Sequence, residues 1–206
     1  LSGFIKPSEG QVHFAGEDIT GSKPNRIAAR GLVRTFQHAT LFEGLNVFEN
    51  VLVASHQTSP RGLKQTLPGR ALISGEAVRQ DSAWRALRVV GLDDCATDMP
   101  KDLPYGKQRL LSLAIAISAG PSLLLLDEPA AGLNPVEAES LANILRRLRD
   151  EGLTVLLIEH NVRMMAALCD RIVVIHHGEK IGEGTPAEVR ADKAVRDAYF
   201  GDSSDA

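Results

Sequence analysis

Four consecutive leucines, Leu123, Leu124, Leu125 and Leu126, run directly into two carboxylates, Asp127 and Glu128. An unbroken apolar run with no polar alternation suits a strand covered on both faces, the habit of parallel sheets flanked by helices. Asn134 and Pro135 then predict a helix, with the amide as cap and proline at the first position. Leu141, Ile144, Leu145 and Leu148 recur at helical spacing, and Gly152 stops the pattern. Residues 154–158 predict a second buried strand, and residues 171–175 a third, followed by a turn at His177 and Gly178. Thr185, Pro186, Ala187 and Glu188 have the capping-box pattern of another helix start. Strand, helix, strand, helix and strand predict an α/β fold with a parallel sheet. Ligands of such sheets bind beyond the carboxyl ends of the strands, where Asp127 and Glu128 fall.

The first half is less regular. Residues 10–16 predict one short strand closed by a turn at Ala15 and Gly16. Pro24 opens a helical turn through Ala29, which Gly31 ends, and residues 32–37 suit a strand entering a loop. Asn46 predicts the cap of a helix from Val47 to about Ser55, with Glu49 at its third position. Residues 57–75, rich in Gly, Pro, Ser and Thr, read as a connection. A helix from Glu76 to Val90 follows, with Val78, Trp84 and Leu87 as packing residues and Gly91 as its stop. Residues 110–126 carry no charge, but Gly120 and Pro121 break the run. A bilayer-spanning helix wants about 20 apolar residues, so this stretch predicts a buried helix, a turn and a buried strand.

Composition bounds the function. The chain has 206 residues, 44% hydrophobic and 24% charged, an ordinary globular balance. Its net charge of −3 argues against a general nucleic-acid binder. Cys95 and Cys169 stand far apart without metal-ligand spacing and read as reduced thiols. Asp127 is a carboxylate of the kind that holds Mg²⁺, directly or through water. Glu128 can orient or deprotonate a water for attack on a phosphoryl group. An isolated acidic pair is equally well a capping pair near a helix start. His160, two residues past the second strand, can reach a terminal phosphate; alone, it reads more simply as a capping or surface histidine.

The combination resembles a known family. Residues 124–129, Leu-Leu-Leu-Asp-Glu-Pro, then 130–134, then Leu157 to His160, resemble the Walker B, aspartate-loop and histidine-loop series of ABC ATPases. Arg34, Thr35, Phe36 and Gln37 resemble the glutamine loop, and residues 103–109, Leu-Pro-Tyr-Gly-Lys-Gln-Arg, stand where the family has its signature. Within the family the chain looks most like ATP-binding subunits of branched-chain amino-acid importers. Tyr105, the phrase at 127–135 and the ending from Gly184 to Gly201 carry that likeness. The resemblance implies an ABC core over 1–44 and 121–206, and a helical subdomain with the signature over 45–120.

It further implies ATP and Mg²⁺ as cofactors. Gln37 and Asp127 would serve Mg²⁺, Glu128 would be the general base, and His160 would contact the γ-phosphate. Leu103, Pro104, Tyr105, Gly106 and Lys107 would close over ATP held by a second ATP-binding subunit in a head-to-tail dimer, with Asn134 in the aspartate loop. Transmembrane permease subunits would be partners, on the cytoplasmic face of the inner membrane, with no nucleic acid involved. Three departures qualify this. The phosphate-binding loop G-x-x-x-x-G-K-[ST] is absent from the 206 residues, whose one Gly-Lys pair is Gly106-Lys107. Pro104 replaces the usual signature Ser, and Lys107 stands for its Gln as a compensating cation. Ile115 and Asn134 replace a common Arg and Asp. Leu1, Ser2 and Gly3 read like the end of an earlier helix, so the expectation is a truncated copy or partial sequence, inactive in isolation. The alternatives are a non-catalytic ABC-like interaction protein and a soluble non-transport ABC ATPase. The short segment between glutamine loop and signature lacks the heptads of a DNA-directed member, and a single cassette is unlike the two-cassette translation proteins.

Overall fold

A computed structural model describes residues 1–35, 41–55 and 75–200. The chain forms two compact units, Leu1–Ile158 and Glu159–Ala206. In the first, β1 (His13–Phe14) and β2 (Glu17–Asp18) make a small antiparallel hairpin. Ala15 and Gly16 turn it with φ of 50° and 82°, and two left-handed residues in succession are what a tight hairpin turn requires. The single strand expected over 10–16 is therefore two shorter ones. Then follow α1 (Pro24–Ala29), β3 (Leu32–Arg34), α2 (Val47–Ala54), α3 (Gly75–Val90), α4 (Tyr105–Ser118), β4 (Leu123–Asp127), α5 (Pro135–Asp150) and β5 (Thr154–Ile158).

The order β3-β4-β5 is parallel throughout, with β4 in the centre. Val33 lies opposite Leu124, and Leu124 opposite Val155. Leu124, Leu125 and Leu126 are only 0–5% exposed, the double-sided burial that the leucine run predicts. The helix beyond the strand's exit is anchored equally clearly. Asn134 caps α5 in a capping box with Glu137, and Leu141, Ala142, Ile144, Leu145 and Leu148 form its buried stripe. Burying each larger side chain on that stripe stabilises the fold by roughly 1.5–3 kcal/mol, an upper bound.

Helices α2, α3 and α4 pack on one another. The α3 stripe is Ala83, Ala86, Leu87 and Val90, whereas Val78 and Trp84 are 43% and 37% exposed. Only Leu87 of the three expected packing residues is core, because 78 and 84 fall off the stripe that 83, 86, 87 and 90 define. Trp84 instead meets the Phe48 ring, centroids 4.8 Å apart. The buried hydroxyl of Ser118 donates to Val51 C=O at 3.2 Å, tying α4 to α2. Residues 110–126 resolve into most of α4, a turn and β4, and among the described residues no helix is long and apolar enough to cross a membrane.

The second unit holds α6 (Val162–Leu168), β6 (Ile172–His176), β7 (Glu179–Gly184), α7 (Pro186–Ala191) and α8 (Lys193–Phe200). The strand expected at 171–175 is not part of the parallel sheet; it pairs antiparallel with β7 through the turn at His177 and Gly178. A two-residue turn can join only antiparallel neighbours, whereas a parallel pair needs a long crossover. Cys95 is buried and Cys169 half-buried, both as free thiols.

Asn50 is 1% exposed and fully engaged. Its Oδ1 accepts from Phe42 N–H at 2.9 Å, and its Nδ2 donates to the carbonyls of Phe42, Leu45 and Asn46 at 3.1, 2.9 and 2.9 Å. One side chain thus satisfies the backbone of the segment that leads into α2. Asn50→Leu is expected to destabilise the first unit by about 1–3 kcal/mol, since Phe42 N–H and Leu45 C=O lose the amide that bonds them in a part-buried segment. Urea unfolding checks this, and a midpoint unchanged from wild type refutes it.

Candidate active site

The central strand delivers Asp127 to the carboxyl end of the sheet, opposite Ile158 in β5. On the other side, Arg34 lies opposite Leu125. With a side-chain period of two, Arg34 and Asp127 share one face of the sheet. Arg34 Nη2 meets Asp127 Oδ2 at 2.7 Å, with the two side chains 30% and 27% exposed. Its Nη1 donates to Ser2 Oγ at 3.3 Å. The negative charge that would otherwise sit half-desolvated at the strand end is therefore balanced within the chain. Sequence reasoning marks Arg34 only as part of the glutamine-loop motif. The partnership depends on strand register, which no residue pattern discloses.

Glu128 comes next with φ of 46°, left-handed and non-glycine. Such a backbone costs on the order of 1 kcal/mol and persists where surrounding bonds enforce it. Here Glu128 N–H donates to Ile158 C=O at 2.9 Å, and its carbonyl accepts from Ala131 N–H at 3.1 Å. The strand ends at this residue and the loop to α5 begins. A cavity of about 20 Å³, the space of one water, lies against Asp127, Thr35, Arg109 and Leu133.

That loop meets the start of α4. Leu103 is buried, and its carbonyl accepts from Gln108 Nε2 at 2.9 Å. Pro104 is the N-cap and Tyr105 the first helical residue. The Tyr105 hydroxyl donates to Ala131 C=O at 3.3 Å and accepts from Arg109 Nε at 2.9 Å. The guanidinium carbon of Arg109 lies 5.1 Å from the ring centroid, within cation–π range. The ring covers Gly132, where φ is 80° and an added Cβ would come within 2.9 Å of it. Gly106 is buried, and a Cβ there would strike the carboxylate of Glu137. Glu137 in turn accepts from Asn134 N–H at 3.0 Å, while Asn134 Oδ1 accepts from the Val136 and Glu137 amides at 3.0 Å. Residues 103–109 and 130–137 are thus laced together within one chain. The sequence signals Glu137 through its capping-box spacing from Asn134, but not its contact with Gly106.

Lys107 donates to Cys95 Sγ at 3.1 Å, and the sulfur beside it raises the ammonium above its ordinary 10.5. Gln37 lies outside the described residues. His160 stands near the start of the second unit, its N–H donating to Glu159 Oε2 at 3.2 Å, just before Asn161 caps α6. The described residues contain no group of three or more His, Cys, Asp or Glu able to hold a metal. A single carboxylate at a strand end nevertheless suits Mg²⁺, which takes one or two carboxylates and completes its shell with phosphate and water.

Gly132→Ala is expected to cost about 1–2 kcal/mol, because it places a Cβ against the Tyr105 ring at a left-handed position. Denaturant unfolding measures it; a neutral result would show that the loop does not hold this conformation.

The ABC transporter family model matches residues 1–131, and a model for the branched-chain amino acid ATP-binding cassette transporter matches residues 179–205. The high-affinity branched-chain amino acid transport ATP-binding protein LivG of Salmonella typhimurium is 39% identical over 98% of this chain and 80% of its own length. BraF of Pseudomonas aeruginosa, of the same description, shows the same identity and coverage. The lipopolysaccharide export system ATP-binding protein LptB of Escherichia coli is 30% identical over 97% of this chain and 78% of its own. Among solved structures, an ADP conformation of an ATP-binding cassette of an ABC transporter superposes with a TM-score of 0.80 at 28% identity, covering 97% of this chain and 80% of that one. The chain belongs to the ATP-binding cassette family of ABC transporter ATPases.

Proposed function

We propose that the chain is the ATP-hydrolysing part of an importer of branched-chain amino acids, working at the cytoplasmic face of the inner membrane. The observation that carries the reading is Asp127 and Glu128 at the carboxyl end of a buried central strand, in a chain of this family. The importer branch rests on the family model at 179–205 and on the LivG and BraF likeness. The LptB likeness extends to a cassette named for a different cargo, in keeping with partner subunits that choose the substrate.

In this reading Asp127 supports Mg²⁺, which supplies charge neutralisation to the transferring phosphoryl group. Arg34 balances Asp127 in the nucleotide-free chain and shares that carboxylate once the cation arrives. Glu128 takes the proton of the attacking water. Gln37 senses the nucleotide and His160 contacts the γ-phosphate. Residues 103–107, at the start of α4, present backbone amides and a helix N-terminus to ATP held by a second subunit. Asn134 and the loop before it sit beneath that surface through Tyr105. The organisation is an ABC core over 1–44 and 121–206, with a helical subdomain over 45–120 that docks on the permease. Support for docking there comes from Val53, Val78 and Trp84, apolar side chains left 37–44% exposed.

Two outcomes are expected. The 206 residues contain no phosphate-binding loop, and such loops supply most of the phosphate affinity. Calorimetry with MgATP on this polypeptide should therefore show at most weak binding at the strand end, with no phosphate release; micromolar binding that Asp127→Asn weakens, or phosphate release, contradicts it. In a polypeptide carrying these residues behind a G-x-x-x-x-G-K-[ST] loop, Glu128→Gln should slow hydrolysis by roughly 10²–10⁴-fold while ATP still binds. Turnover within a few-fold of wild type at saturating ATP would remove Glu128 from the role of base.

A further inference from the structure

Two adjoining hollows lie between the C-terminal end of α3 and the flank of α5, formed by residues other than those of the candidate active site. The larger, about 560 Å³, is lined by Arg88, Arg146 and Arg147 together with Ser140 and Asn143. The smaller, about 300 Å³, shares Arg88 and Arg147 and adds Arg85 and Asp81. Four arginines and one aspartate thus line the two hollows, in a chain whose net charge is −3.

These arginines are braced rather than neutralised. Arg147 Nη2 donates to Val89 C=O at 3.2 Å, linking α5 to α3. Arg88 Nε donates to Trp84 C=O at 3.3 Å, and Arg146 Nη1 donates to Asn143 Oδ1. None of the four is among the ion pairs of the described residues. Helix dipoles account for Arg88 and Arg147, in the last turns of α3 and α5. They do not account for Arg85 and Arg146, whose addition brings like charges together at a net electrostatic cost. Beneath them Val90 and Ile144 are 3% and 4% exposed, a packed floor.

We propose that this groove is a binding site for a phosphate-bearing polyanion. Guanidinium forks match phosphate oxygens two at a time, and several held around one hollow suit a ligand with two or more anionic charges. Ser140 and Asn143 add neutral donors. Hollows of this size admit a ligand between pyrophosphate and a phosphorylated metabolite or lipid headgroup. The site is independent of the nucleotide reading.

The test titrates the 206-residue chain with sodium pyrophosphate by calorimetry at low salt. One saturable site is expected, weakened about tenfold by Arg88→Gln and by Arg146→Gln, and unmoved by Arg26→Gln, at a residue that lines neither hollow. Arg85→Gln, which leaves the Arg147 link between α5 and α3 intact, guards against a folding artefact and should weaken binding likewise. Flotation with phosphatidylglycerol vesicles, against phosphatidylcholine vesicles, separates the sources. Anionic-vesicle binding that pyrophosphate displaces and Arg88→Gln abolishes assigns a lipid headgroup. Saturable pyrophosphate binding without flotation assigns a free phosphorylated ligand. Absence of saturable binding, or binding indifferent to all three arginine substitutions, overturns the proposal.

Discussion

The burial of β4 on both faces is the constraint on which the candidate site depends. Leu124, Leu125 and Leu126 have almost no exposure, so the strand cannot shift register without carrying leucines into the solvent-facing loop and a carboxylate into the core. The first polar position the strand can tolerate is where it leaves the sheet, and that position is Asp127. Even there the charge is largely buried, and Arg34 on the neighbouring strand answers it at 2.7 Å. A sheet that fixes an acid so rigidly also fixes the residues after it: the left-handed Glu128, held by Ile158 C=O, and the loop that Asn134 closes.

The same loop ties the sheet to the helical layer. Tyr105 bonds Ala131 and covers Gly132, while Glu137 fills the space that Gly106 leaves open. A displacement of the α4 start is therefore felt at residues 130–137, and through them at the exit of β4. Under the proposed pairing, in which residues 103–107 close over nucleotide held by a second subunit, this lacing gives a short physical route between the two proposed surfaces of one chain. Asn50 plays the corresponding structural part upstream, satisfying the backbone that enters α2.

Much of this is legible in the residues. The starts of α2, α5 and α7 are marked by Asn46, Asn134 and Thr185, because each cap has its glutamate three positions on and the chemistry is local. The apolar run of β4 and the turn at Gly120-Pro121 are equally local; β5 forms where its apolar run lies, but it is not the buried strand expected, since Leu156 and Ile158 are 37% and 45% exposed. The features that escape the sequence depend on partners distant along the chain. Strand β7, Glu-Lys-Ile-Gly-Glu-Gly, has weak strand propensity and exists through its pairing with β6. Trp84 has the chemistry of a core residue, yet its angular position on α3 leaves it at the surface against Phe48. At the site, motif order alone points to Asp127, Glu128 and the signature residues. The Arg34 ion pair and the Glu137 contact with Gly106 require register and packing.

In the proposed function the β4 carboxylates and the α4 start form the two halves of a nucleotide sandwich made from two chains. Sedimentation of the loop-carrying polypeptide with Glu128→Gln, with and without MgATP, tests it most directly. The expected result is a monomer that doubles in mass when MgATP is present and separates when ADP replaces it. A species of unchanged mass at saturating ATP would contradict it.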